Sequence, residues 1–104
     1  MISPDPSTAA DDLEKWASGL EQRARSYAEL QQRLDDTRAT ESTQDGSIRV
    51  TVDANGVPTE LVLGERVRGA DPRQLSAEIM ACLRRAQAKL RHQVQELVRA
   101  RFPR

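Results

Sequence analysis

Asp45-Gly46-Ser47-Ile48-Arg49-Val50-Thr51-Val52-Asp53-Ala54-Asn55-Gly56-Val57-Pro58-Thr59-Glu60-Leu61-Val62-Leu63 is the stretch that decides the fold. Asp-Gly at its start is a turn signal. Ile48, Val50 and Val52 then alternate with Arg49, Thr51 and Asp53, the period-two pattern of an antiparallel strand with one buried face. Asn55-Gly56 predicts a tight hairpin of type I′, which needs positive φ at both central residues. Val57, Leu61 and Leu63 share a face of the returning strand. Pro58 lacks an N–H, so it belongs near a strand start or on an unpaired edge. With the β-tolerant residues Thr40, Ser42 and Thr43 upstream, the reading is a meander of Ala39–Thr43, Ser47–Asp53 and Val57–Gly64.

Both flanks read as long helices. Residues 1–7 hold two prolines and nothing to bury, and are expected to be disordered; residues 8–104 form a single domain. Ser7 or Thr8 caps the first helix, with Asp11 and Asp12 near its positive end. Leu13, Leu20, Tyr27 and Leu34 repeat at intervals of seven, with Trp16 and Leu30 three residues after Leu13 and Tyr27. Such a seam predicts an amphipathic helix running to about Arg38, with Trp16 and Tyr27 as core residues. Gly19 costs such a helix about 1 kcal/mol against Ala, which suggests the close approach of a partner.

Gly64 to Ala70 reads as a loop. Asp71-Pro72 opens the second helix, with Asp as cap and Pro in the first turn. Leu75, Ile79, Cys82, Leu83, Ala86, Leu90, Val94 and Leu97 follow at spacings of three and four, and nothing interrupts them before Pro103. A helix of about 30 residues is about 45 Å long, more than a three-stranded sheet covers. The fold class is therefore α+β: a long N-terminal helix, a three-stranded antiparallel meander and a long C-terminal helix. Parts of both helices must project or pair with a second chain.

Composition excludes several functions. The chain has 104 residues, with one cysteine, one histidine and three aromatic residues. No apolar run approaches the roughly 18 residues of a membrane span, and the first residues lack the basic and apolar regions of a secretory signal. Cys82 has no internal partner for a disulfide, which fits a reducing cytoplasm. No nucleophile–base pair, phosphate loop or metal-ligand spacing is present, so neither an enzyme nor a metal or cofactor site is expected. Trp16, Tyr27 and Phe102 are too few for a base-stacking platform.

Sixteen cations and sixteen anions cancel, but they are segregated. Residues 1–45 carry ten acids and five bases, whereas residues 71–104 carry three acids and eight bases. Between Glu78 and Glu96 lie four bases and no acid. This asymmetry suggests a polyanion partner or an acidic-to-basic contact within an oligomer. On a helical wheel Arg73, Arg84 and Arg91 fall opposite the apolar stripe, Arg85, Lys89 and His92 lie on one flank, and Arg101 returns toward the stripe. Lys and Arg presented along a face suit phosphate contact, while the bland alternative is a solvated face with pairs such as Glu96 to Arg99. No base-reading motif is visible.

Asp45-Gly46 through Asp53, then Gly56-Val57 and Glu60-Leu61-Val62-Leu63, resemble the YbaB/EbfC family of small bacterial nucleoid-associated proteins. Asp71-Pro72-Arg73-Gln74-Leu75, followed by Ile79, Ala81, Ala86 and Ala88, is similar to that family's second helix. The arginine-rich style and short polar N-terminus resemble actinobacterial members. The resemblance implies a homodimer held by its sheets, through Ile48, Val50, Val52, Leu61 and Leu63, with helices projecting like tweezer arms. It also implies cytoplasmic, nucleoid-associated binding of duplex DNA at low sequence specificity. Arg84, Arg85, Lys89, Arg91, Arg99 and Arg101 are the candidate DNA-binding residues. The alternative is a dimeric adaptor or chaperone-like factor for a protein partner, for example one linked to type VII secretion.

Overall fold

A computed structural model of the chain describes residues 6–101. The first helix, α1 (Pro6–Asp35), begins just before the expected caps, at a proline whose fixed φ suits a first turn. Most of the segment expected to be disordered lies outside the described residues. The helix stops short of Arg38, because Thr37 and Arg38 take its last carbonyls. Thr37 Oγ1 donates to Arg33 O at 2.6 Å and Arg38 Nη1 donates to Asp35 O at 2.9 Å.

Strands β1 (Ala39–Ser42), β2 (Ile48–Val52) and β3 (Pro58–Leu63) form an antiparallel sheet in the order β1-β2-β3. The expected meander is present, each strand trimmed at its turn ends. The β2–β3 turn corrects the type I′ expectation: Gly56 has φ 80°, and among the described residues no residue other than glycine has positive φ. Gly56 N–H donates to Asp53 O at 2.9 Å, while the Asp53 carboxylate accepts N–H groups from Asn55 and Val57. Asp53 thus braces the turn from inside, and one left-handed residue suffices where two were expected. Pro58 begins β3 opposite Val52, beside a register shift that leaves Thr59 unpaired, so its missing N–H costs no ladder bond. A 3-10 turn, Glu65–Val67, leads to the second long helix, α2 (Pro72–Arg101). Asp71 caps it through Arg73 N–H at 3.3 Å.

One face of α2 closes the core. Cys82, Ala86 and Leu90, at helical steps of four, are buried on Ala39, Ile48, Val50 and Val52 of the sheet. Each large side chain so buried contributes about 1.5–3 kcal/mol. The Cys82 thiol lies 3.2 Å from Glu41 O, which it meets as a weak donor in a small apolar slot. The helix covers β1 and β2 and misses β3, every residue of which is exposed.

Ile48, Val50 and Val52 are therefore consumed by their own chain. Within the single chain their exposures are 0%, 2% and 0%. Leu61 and Leu63, paired with Val50 and Ile48 and so on the same face, stay 49% and 43% exposed. The residues differ because a single helix is narrower than three strands.

The molecule measures 84 × 23 × 17 Å and has a radius of gyration of 23.8 Å. A compact chain of this length would have a radius of about 13 Å. The C-terminal half of α1 meets α2, where Leu30 and Arg33 line a groove with Leu97, Ala100 and Arg101. The expected core role of Trp16 and Tyr27 is corrected as well. Leu13, Trp16, Leu20 and Tyr27 are 65%, 66%, 42% and 61% exposed. Gly19 and Tyr27 border the end of α2 at Arg101, and Leu13 and Trp16 lie beyond that level. A Cβ at Gly19 would meet nothing within 4 Å, so among the described residues no other group packs closely on it.

Candidate nucleic-acid interface

The basic residues of α2 divide between the two sides of the helix. Gln87 Nε2 donates to Gly56 O at 2.9 Å, which ties that side to the β2–β3 turn. Arg84 and Arg91 stand three residues before and four after Gln87, so they share its side. Arg91 lines an open groove with Ala54, Asn55, Gly56 and Gln87. Arg73, eleven residues before Arg84, lies three turns down the same line. The row from Arg73 to Arg91 is about 27 Å long, comparable with about eight base-pair steps of duplex.

Arg85 and Lys89 lie on the opposite side, over β1. Lys89 Nζ donates to Thr40 O at 3.0 Å, which binds the ammonium to the sheet edge. Arg85 faces an open groove with Ser42, Thr43, Asp45 and Glu78, where two carboxylates offset its charge. Arg99 is paired with Glu96 at 3.1 Å. Arg101 borders the α1 groove with Gln22, Arg23 and Tyr27.

Of the six candidates, then, the structure brings Arg84 and Arg91 together and separates the other four. Arg99–Glu96 is the one ion pair among the described residues, so Arg73, Arg84 and Arg91 stand exposed and uncompensated. Arg73 lies outside the six candidates because it stands apart from the basic run. The wheel that groups it with Arg84 and Arg91 held the signal.

Turn chemistry accounts for Asp45 and Asp53 at the turns of the sheet. Asp45 accepts hydrogen bonds from the Ser47 hydroxyl at 2.7 Å, the Ser47 N–H at 3.0 Å and the Thr43 hydroxyl at 2.9 Å. These donors, the Ser47 hydroxyl foremost, hold the carboxyl at a pKa of about 2 against an ordinary 3.8. Among the described residues no three His, Cys, Asp or Glu side chains gather as a metal site, and no helix is long and apolar enough to cross a membrane.

A sequence model of the YbaB/EbfC DNA-binding family matches residues 10–101. The crystal structure of the uncharacterized protein HP0035 from Helicobacter pylori has a similar fold, at a TM-score of 0.56 and 16% identity. The match covers 76% of this chain and 93% of that one. No curated protein matches the sequence.

Proposed function

The chain belongs to the YbaB/EbfC DNA-binding family, and on that premise we propose that it binds duplex DNA as a nucleoid-associated homodimer of low sequence specificity, in the cytoplasm. The observation that carries this reading is the row Arg73–Arg84–Arg91: three exposed cations on one line, with no carboxylate paired to them among the described residues. Such a row neutralises backbone phosphates and reads no base edges, so it binds any sequence alike. The zero net charge of the chain is no obstacle. Its excess acid lies in residues 1–45, away from the row, and phosphate attraction is local at physiological salt, where screening acts over about 8 Å.

The homodimer rests on β3. Leu61 and Leu63 on its helix-side face, Val62 on the other and Val57 before it are all exposed on an edge strand, and Met80 of α2 is exposed as well. An open edge with an apolar face invites a second copy. Pairing through β3 doubles the arginine row and leaves the helices projecting. Cations that are arginine at all but two positions, Lys15 and Lys89, favour the actinobacterial type within the family.

The test is a fluorescence-anisotropy titration of a labelled random-sequence duplex at about 50 and 200 mM salt, the range over which phosphate contacts weaken most visibly. Saturable binding at the lower salt that collapses at the higher is the expected result. No binding at either salt would refute the reading and move the search to a protein partner.

A further inference from the structure

The N-terminal half of α1 carries an apolar stripe that no described residue covers. Leu13, Trp16, Leu20 and Tyr27 follow at steps of three, four and seven, and all are exposed. Gly19, Ser26, Leu30 and Arg33, on the side of the end of α2, form a separate line, and of the stripe only Tyr27 borders the same groove. The stripe is turned from that line by about a quarter of the helix circumference. It is a second face, free while α1 and α2 are packed together.

We propose that this face pairs, antiparallel, with the same face of a second copy. The charges along the helix argue for that occupant and that direction. Asp11, Asp12 and Glu14, with Lys15 among them, make the segment before Trp16 acidic; Arg23 and Arg25, with Glu21, make the segment after Leu20 basic. A parallel pair would set acid on acid and base on base. An antiparallel pair centred near Ser18 sets Asp12, on one flank of the stripe, against Arg23 of the partner subunit, twice, by symmetry, whereas Glu14 and Arg25 lie on the far side of the helix. The same register brings Trp16 against Leu20 of the partner subunit, and lays Leu13 along the aliphatic stem of its Arg23.

Small residues border the stripe. Ala10, Ala17 and Ala24 lie on one side and Gly19 and Ser26 on the other, so two such helices approach closely. A Cβ at Gly19 would meet nothing within 4 Å in the lone chain.

Size sets the strength. Two aromatic and two leucine side chains at these exposures leave on the order of 500 Å² of apolar surface per copy. The paired faces bury on the order of 1,000 Å², the lower end for a specific interface, so the contact is reversible and concentration-dependent. It uses neither β3 nor the arginine row. Combined with the β3 contact proposed above, it joins dimers into larger assemblies, because each copy then carries two different self-complementary faces.

Sedimentation velocity of the full-length chain without DNA, over about a hundredfold range of concentration, tests the pairing. The parent protein is expected to gain mass with concentration. The double variant Trp16→Glu, Leu20→Glu should stay at the mass of the smaller unit throughout, with its helical circular dichroism retained. Asp12→Arg and Arg23→Glu should each weaken association by about tenfold through like-charge contact, and a mixture of these two variants should associate as the parent does, because both cross-contacts are again opposite in sign. An unchanged mass profile for the glutamate double variant overturns the proposal. So does a mixture that associates no better than its components. Neither result depends on whether the chain binds DNA.

Discussion

Replacing Arg84 and Arg91 together by glutamine should change the salt dependence of DNA binding more than it changes the fold. Both side chains are exposed, and neither is ion-paired among the described residues, so their removal takes no buried contact with it. In a homodimer the row Arg73–Arg84–Arg91 offers about six phosphate contacts. Each contributes about 0.9 to the slope of log K against log salt, for a total near −5 and a loss of about a thousandfold between 50 and 200 mM. The double variant keeps only Arg73, or about two contacts per dimer, so its slope should flatten to about −2 and its loss over the same interval to about tenfold.

Arg85→Gln with Lys89→Gln is the matched control. It removes the same charge from the β1 side of the same helix, where Lys89 is bound to Thr40 O at 3.0 Å. Its slope should remain near the parent value, although loss of the Lys89 hydrogen bond should lower stability by about 0.5–1.5 kcal/mol. The assay is an anisotropy titration of a random duplex at four or more salt concentrations. Equal flattening in both variants, or flattening in the control alone, would refute the division of the helix into a phosphate side and a sheet side.

Leu61→Asp with Leu63→Asp should abolish homodimerisation through β3 while the fold remains, since both side chains are already about half exposed; light scattering beside thermal denaturation reads the two effects separately. Gly56→Ala should destabilise the chain by about 1–2 kcal/mol, the cost of a left-handed L-residue, because Gly56 has φ 80° and a Cβ there meets only Gln87 and Leu90, each at an ordinary 3.9 Å; urea denaturation measures it. Asp45 carries a carboxyl lowered from 3.8 to about 2. A depressed carboxylate pKa means stability that is in place above the ordinary value and is lost as pH falls through the folded one. Thermal stability measured from pH 4 to pH 2 should therefore decline more steeply in the parent than in Asp45→Asn, which has no proton to take up there.

The secondary structure was legible because each element states itself locally. Ile48, Val50 and Val52 alternate over too short a run for anything but a strand, and Leu75 through Leu97 keep helical spacing without interruption. The Asp71 cap and the Pro58 strand start follow from what those residues donate or lack. The turn at Gly56 was legible in place and not in type, since Asn-Gly is compatible with several turns and the Asp53 carboxylate selects one. Family membership was legible for the same reason, being a matter of element order and local motif.

Coverage was decided only by the tertiary structure. Periodicity marks Trp16, Tyr27 and Leu61 as apolar-face residues as plainly as Ile48 or Leu90, yet the first three stand in the open and the last two are buried. Local spacing sets which faces are apolar. Which of them find a lid depended on the reach of α2, which spans two strands of three and packs on the C-terminal half of α1. Likewise the sequence determined that α2 is basic, and packing decided that Arg84 and Arg91 stand free while Lys89 is bound to β1. A side-chain pattern is a property of one element, whereas burial and charge compensation belong to pairs of elements, and their relative position is set by long-range contacts that no local spacing encodes.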